Sequence, residues 1–492
     1  MNFYPSKEEF VKLSKKGNLI PVYTEVVADM LTPASAYLKI KDKSCSYLLE
    51  SVEGEEKIAR YSFIANNPSV IIKSRGKTVE KITKEGTQII EAEKDPLEEI
   101  KKILSQYKFV SVPGLPRFCG GMVGYFSYDM VRFFEQLPDK NPDELNLPES
   151  YFLLTDTLLI FDHVKHKILI VSNAHIQESP ETAYDKAVEN IKTLLEKLNR
   201  PLSIEIKTSD SKETALDIKS NFSFDEFCDA VKKAKRYIRE GDIFQVVLSQ
   251  RFEIDFDVEQ FDIYRALRSI NPSPYMFFMD FGEFSLIGAS PEIMVRCEDG
   301  KVEVRPIAGT RPRGKNEKED KKFAESLMRS RKERAEHLML VDLGRNDIGR
   351  VSDYGSVKVP EFMIIEKYSH VMHIVSDCVG KLKKGKDSFD VLRAALPAGT
   401  VSGSPKIRAM EIIDELENTR RGPYAGCVGY FSFSGNFDSC ITIRTIVTKN
   451  KQAFIQAGAG IVADSNPAKE YQETQNKAKA LVKAIELAKK GF

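Results

Sequence analysis

Short apolar runs bounded by turn residues punctuate the first 195 positions: Tyr47-Leu48-Leu49, Ser69-Val70-Ile71-Ile72, Tyr151-Phe152-Leu153-Leu154 and Ile168-Leu169-Ile170-Val171. Runs of this length, rich in β-branched and aromatic residues, read as strands. Residues 183–198 switch to helical spacing and close the region, and 204–220 is polar and aperiodic. At Phe222 a new unit starts abruptly. Ser223-Phe224-Asp225-Glu226 is a capping box, with Phe222 and Phe227 placed as a hydrophobic staple. The helix it opens carries apolar positions at Val231, Ala234 and Ile238, ends near Gly241, and runs into a strand over 243–250. Strands, Gly-rich turns and helices then alternate to the C-terminus. The pattern predicts an α+β protein: an N-terminal domain over 1–205, a polar linker over 206–221 and a larger domain over 222–492.

One stretch echoes another. Gly121-Met122-Val123-Gly124-Tyr125-Phe126-Ser127-Tyr128 is matched by Gly426-Cys427-Val428-Gly429-Tyr430-Phe431-Ser432-Phe433. Convergent strand chemistry and an ancient duplication both account for it.

Composition narrows the function classes. With 73 Lys+Arg against 72 Asp+Glu, the chain offers no charge excess for a nucleic acid or an anionic membrane. No apolar run approaches a membrane span, and the acidic N-terminus lacks a signal-peptide core. The 7 cysteines are scattered without a CxxC, which indicates neither a zinc site nor a disulfide framework and fits a reducing cytoplasm.

Two Glu-x-x-Glu pairs stand out: Glu333/Glu336 and Glu470/Glu473, each in a Gly- and Pro-free helical segment. At i and i+3 each pair presents two carboxylates to one side. Solvated acidic faces would look the same singly, but four convergent carboxylates call for a hard cation, and oxygen-only donors suit Mg²⁺. Residues 398–406 form a Gly-rich turn leading into a helix, with Ser404 as cap and Pro405 at its first position, a place where backbone N–H groups bind anions. It lacks the Gly-Lys-Ser/Thr of a nucleotide-binding loop. Gly458-Ala459-Gly460 follows an apolar strand and reads as a tight turn, with too little chain beyond it for a dinucleotide fold. His370 and His373 lie three apart on a predicted strand and so face opposite ways, which rules out a shared ion. Arg444, on an otherwise apolar strand, wants either an internal partner or a ligand carboxylate.

Taken in order, Gly241-Asp242-Ile243-Phe244-Gln245, Asn271-Pro272-Ser273-Pro274-Tyr275-Met276, Ser290-Pro291-Glu292, Pro306-Ile307-Ala308-Gly309-Thr310-Arg311, the Glu333 and His373 segments, 398–406, Arg444, Gly458–Gly460 and Lys469–Glu473 resemble the chorismate-utilising enzymes, most closely the large subunits of anthranilate synthases. The resemblance implies antiparallel sheets packed as a sandwich with flanking helices and a smaller N-terminal domain. It implies Mg²⁺ held by Glu336 and Glu473 with Glu333 and Glu470 alongside, and chorismate held by Gly309, Thr310, Thr400, Tyr424, Ile443, Arg444, Gly458 and Gly460. Glu292 is implied as general acid, with His373, Gln245 and Thr310 beside it in the catalytic set. Water-adding relatives carry Lys where Gln245 stands, and aminodeoxychorismate synthases, the alternative within the family, carry a nucleophilic Lys where Ala308 stands. The resemblance further implies ammonia from a separate glutamine amidotransferase subunit. Feedback by tryptophan is implied at Glu50, Ser51, Pro274, Tyr275, Met276, Val428 and Tyr430, with Arg60 as a looser match. A non-catalytic subunit that has kept the scaffold is the rival from another class.

Overall fold

In the computed structural model the described residues are 1–492 apart from 28, 43, 53–59, 203–215, 369, 370 and 492. Most of the expected linker, and His370, therefore lie outside them. Two antiparallel sheets of twelve strands each pack face to face with helices outside. Alternation along one strand shows how the layers form. In Gly121–Phe126, Val123 and Tyr125 point into the core between the sheets, whereas Met122 and Phe126 point to the opposite face and join an apolar cluster with Leu97, Ile100 and Ile103 of the helix Leu97–Ser105.

Both sheets are built from both halves of the chain. In the first, Ser46–Glu50 pairs with Tyr275–Asp280 at the centre. Outward on one side run Tyr61–Asn66, Thr157–Asp162, Lys167–His175 and Leu19–Val27; on the other run Phe284–Ser290, Thr445–Lys449, Gln452–Ile461 and Gln245–Asp255. Each half lays these strands down in the same chain order, outermost first, and follows the last with a long helix, Pro180–Asn199 or Pro467–Lys490. In the second sheet the central pair is the sequence echo itself. Gly121–Phe126 and Cys427–Ser432 run antiparallel, with Gly124 opposite Gly429. A Cβ on either glycine would sit about 2 Å from a carbonyl oxygen of the next strand, Tyr151 O at 2.0 Å and Asp438 O at 2.2 Å. Shared order and shared glycines point to one internal duplication.

The second half departs from the first in the segment between Lys301–Val304 and Cys427–Ser432. Where the first half has one strand, Gly86–Glu91, and one helix, Leu97–Ser105, it has the strands Ile307–Pro312, Lys358–Lys367, Val371–Lys381 and Gly403–Ser404 and the helices Glu317–Arg329, Arg331–Gly349, Ser388–Ala395 and Lys406–Leu416. The capping box at Ser223 and Glu226 forms, and the Phe222 and Phe227 rings meet edge-on at 5.8 Å. The end of the expected linker is ordered: Ile218–Ser220 pairs with Gln245–Asp255 at the sheet edge. No helix among the described residues is long and apolar enough to cross a membrane. All 7 cysteines are buried and unpaired.

Candidate active site

A cavity of about 550 Å³ opens against the Gln245–Asp255 and Gln452–Ile461 strands, and every catalytic, substrate and metal candidate named from the sequence lines it. Gln245, Val247, Gly458 and Gly460 form one wall, with Val247 registered against Gly460 and Ser249 against Gly458. Gly458 and Gly460 lie inside a strand, not in the turn expected. Two residues apart, they face the same way, and absent side chains make the room: a Cβ on Gly460 would stand 2.9 Å from Gln245 Nε2, and one on Gly458 2.7 Å from the Tyr424 hydroxyl.

Glu292 and Arg444 occupy neighbouring steps between the sheets. The chain crosses from Phe284–Ser290 to Ile293–Glu298 through Glu292, and back from Phe437–Ile441 to Thr445–Lys449 through Arg444. Backbone bonds lock the steps together, Ile441 N–H to Glu292 O at 3.0 Å and Ala289 N–H to Arg444 O at 3.1 Å. Arg444 is thus not on a strand: its φ is 52°, a left-handed joint that lets the chain change sheets. No carboxylate among the described residues pairs with its guanidinium, which donates only to Lys477 O at 3.3 Å, and burial lowers its pKa. Glu292, 8% exposed, has its carboxyl pushed up to about 8 by burial; Thr400 and Lys477 pull weakly the other way. It is a protonated acid at neutral pH.

The strand Ile307–Pro312 bulges between Ala308 and Arg311 against Val371–Lys381, which turns Gly309 and Thr310 toward the cavity. Gly309 has a φ of 65°, and its carbonyl accepts from His373 Nδ1 at 2.7 Å. The Thr310 hydroxyl lies 3.2 Å from the same nitrogen. Burial lowers the His373 pKa, so the ring is neutral and Nε2 is its basic atom. Gln245 is buried, and its amide oxygen has no partner among the described residues.

Arg331–Gly349 carries Glu333 and Glu336, and Pro467–Lys490 carries Glu470 and Glu473. As the side chains stand, Glu333 pairs with Arg311 at 3.3 Å and Glu473 with Lys477 at 2.7 Å. No three His, Cys, Asp or Glu side chains among the described residues gather closely enough to enclose an ion. The donor set nonetheless suits a hard dication. Burial raises the Glu336 carboxyl and Glu333 and Glu473 add like-charge repulsion; Glu470 is raised by burial and by Glu473. Lys332 and Lys477 also line this wall and were not singled out from sequence, although Lys477 follows Glu473 at the i,i+4 spacing of a helical ion pair. The expected Ser404 cap is absent. Pro405 precedes the helix Lys406–Leu416, while Ser404 pairs with Gln245 as a strand residue.

A second cavity, of about 220 Å³, is lined by Glu50, Ser51, Pro274, Tyr275, Met276, Val428 and Tyr430 together. Arg117, Phe118, Arg296 and Asp438 also line it and carried no signal in the sequence, because only the pairing of distant segments brings them there. Glu50 is engaged by Arg268 at 3.0 Å and by the Tyr264 hydroxyl, whereas the buried Ser51 hydroxyl has no partner among the described residues. Arg60 is not among the lining residues and pairs with Asp162 at 2.9 Å.

Residues 45–483 match the family described as chorismate binding enzyme, and the chain belongs to that family. Within it, the chain is 52% identical to anthranilate synthase component 1 of Acetivibrio thermocellus over 99% of both chains. It is 52% identical to that of Aquifex aeolicus, again over 99% of both, and 48% identical to that of Pseudomonas aeruginosa over 98% of this chain and 99% of the relative. The crystal structure of anthranilate synthase component I from Streptococcus pneumoniae superimposes with a TM-score of 0.78 at 39% identity, covering 93% of this chain and 99% of that one. The Escherichia coli isochorismate synthase MenF shares the fold, with a TM-score of 0.69 at 19% identity over 98% of this chain and 99% of its own.

Proposed function

We propose that this chain is an enzyme that converts chorismate and ammonia to anthranilate and pyruvate, the first committed step toward tryptophan. The observation that carries the reading is that one cavity holds, on adjacent sheet steps, a protonated carboxyl, Glu292, and a guanidinium with no anion among the described residues, Arg444. Arg444 takes a substrate carboxylate in charge-assisted hydrogen bonds, and Tyr424, Thr400 and the Gly458 and Gly460 backbone hold the remaining polar groups. Ammonia, already nucleophilic, forms the new C–N bond beside Gln245, whose free amide oxygen accepts its N–H; no base is needed there. The C–O bond to the ring hydroxyl breaks as Glu292 gives its proton to the departing oxygen, which leaves as water. The nitrogen, an ammonium once the C–N bond has formed, gives a proton to water. His373 Nε2 removes the ring proton from the carbon that bears this nitrogen, and the enolpyruvyl C–O bond breaks with its electron pair on oxygen. The enolate takes a proton from water at its methylene carbon to depart as pyruvate while the ring becomes aromatic. Ala308 offers no amine for a covalent detour.

Glu336 and Glu473, with Glu333 and Glu470 alongside, would hold Mg²⁺, which would supply charge neutralisation and Lewis-acid chemistry for a dianionic substrate. A separate glutamine amidotransferase subunit delivers the ammonia, in the cytoplasm. The smaller cavity takes tryptophan as inhibitor: its Phe118 and Tyr430 rings, in contact at 4.2 Å, form one apolar wall for an indole. It straddles the Ser46–Glu50 and Tyr275–Asp280 pair that joins the two halves, so a bound ligand senses how they sit.

Incubating the chain with chorismate, an ammonium salt and Mg²⁺ while following anthranilate fluorescence tests this. Fluorescence that disappears with EDTA and falls with tryptophan supports it. Chorismate consumed without anthranilate, or not consumed, overturns it.

A further inference from the structure

Arg421 makes no contact with the four-glutamate wall, yet it is one of the largest fully buried side chains, 2% exposed. Each of its three nitrogens is engaged. Nε donates to Glu417 Oε2 at 2.9 Å and Nη2 to Glu417 Oε1 at 2.6 Å. Nη1 reaches the Val401 carbonyl at 2.7 Å and Nη2 the Val247 carbonyl at 2.7 Å. Glu417 in turn accepts from both the backbone N–H and the hydroxyl of Ser249 at 2.8 Å. The guanidinium carbon lies over the Tyr424 ring at 5.5 Å and over the Tyr128 ring at 4.8 Å.

The destinations matter more than their number. Thr400, Val401, Val247 and Tyr424 all line the substrate cavity, so one buried cation fixes three separate pieces of its wall. Tyr128 belongs to the first half of the chain, and its segment is sewn to Arg421's neighbour: Tyr128 N–H donates to Gly422 O at 2.8 Å, and Gly422 N–H to Asp129 Oδ2 at 2.9 Å. Stability alone is a weak reason for such an arrangement, because a buried ion pair roughly cancels its own desolvation. What it supplies is a fixed geometry that apolar packing would leave looser.

We propose that Arg421 is a positioning residue for the substrate cavity: paired with Glu417, it holds the Thr400–Val401 turn and Tyr424 against the Gln245–Asp255 strand, and Tyr128 from the other half backs it. Its kinetic consequences rest on the chorismate reading above; its structural ones do not.

The test compares wild type, Arg421→Lys, Tyr128→Leu and Tyr128→Phe. Arg421→Lys keeps the charge and loses the fork. A fall in kcat/KM for chorismate of about 100-fold is expected, the scale of a small misplacement of reacting groups. Faster amide exchange confined to residues 399–404 and 424–426 should accompany it. Tyr128→Leu is expected to fall in the same direction by less, with the same exchange signature. Tyr128→Phe should match wild type, because the Tyr128 hydroxyl has no partner among the described residues to lose. A folded Arg421→Lys with wild-type exchange in those segments overturns the proposal. If Arg421→Lys does not fold, Tyr128→Leu matching Tyr128→Phe in exchange overturns it. Wild type that leaves chorismate untouched refutes the functional reading instead, while the exchange result still decides this one.

Discussion

The carbonyl oxygen of Gly309 stands 2.7 Å from His373 Nδ1, and that contact assigns the proton on the ring. Since a carbonyl only accepts, Nδ1 carries the hydrogen and Nε2 the lone pair. Burial lowers the ring's pKa, so the neutral base persists below the usual histidine value. The acid limb of kcat/KM should therefore lie below about pH 6.5, and nitrogen NMR should show the Nδ1–H tautomer. His373→Gln should cost about 10² to 10⁴ in kcat. A limb above the ordinary histidine pKa would contradict the assignment.

Glu292→Gln should abolish the acid step, lowering kcat by about 10² to 10⁴. Its effect on stability runs the other way. With the folded carboxyl at about 8 and the unfolded one near the ordinary glutamate value of 4.5, the unfolded chain gives up its proton first. Stability is lost as pH rises from the unfolded pKa through the folded one, at about 1.4 kcal/mol per pH unit. The variant should thus melt higher than wild type at pH 8 and near wild type at pH 4, measured calorimetrically.

Arg444→Gly separates binding from folding. The left-handed joint costs a non-glycine residue about 1 to 2 kcal/mol, which glycine relieves, so the melting temperature should hold. Losing a charged hydrogen-bond donor should weaken chorismate binding by about 10- to 100-fold, read as KM.

Ser51→Phe should fill the smaller cavity without touching the larger. About 100-fold more tryptophan should then be needed for half inhibition, the scale of a 1 to 3 kcal/mol overpacking penalty, while uninhibited kcat stays put. Unchanged inhibition would place the inhibitor elsewhere.

Local signals were legible wherever the chain's own neighbours decide the outcome. The glutamate pairs sit on helices, the capping box closes at Ser223, and the apolar runs are strands. What escaped was decided by distant pairing. Arg444 follows Cys440-Ile441-Thr442-Ile443, an apolar run that looks like one strand continuing. Only the partner strands reveal that the chain leaves one sheet at Ile441 and joins the other at Thr445. Gly458 and Gly460 read as a turn for the same reason, since their bare faces make sense only opposite Gln245 and Tyr424. Arg421 carried no signal, because a lone buried arginine is defined by the carbonyls it reaches.

The paired echo strands have a consequence for synthesis. A ribosome that has released the first half has finished the strands Ser46–Glu50 and Gly121–Phe126 but not their partners, Tyr275–Asp280 and Cys427–Ser432. Each unfinished sheet then shows an open inner edge of buried-type residues, the kind of surface that recruits the wrong neighbour. Folding of the newborn chain is a wait for its own second copy.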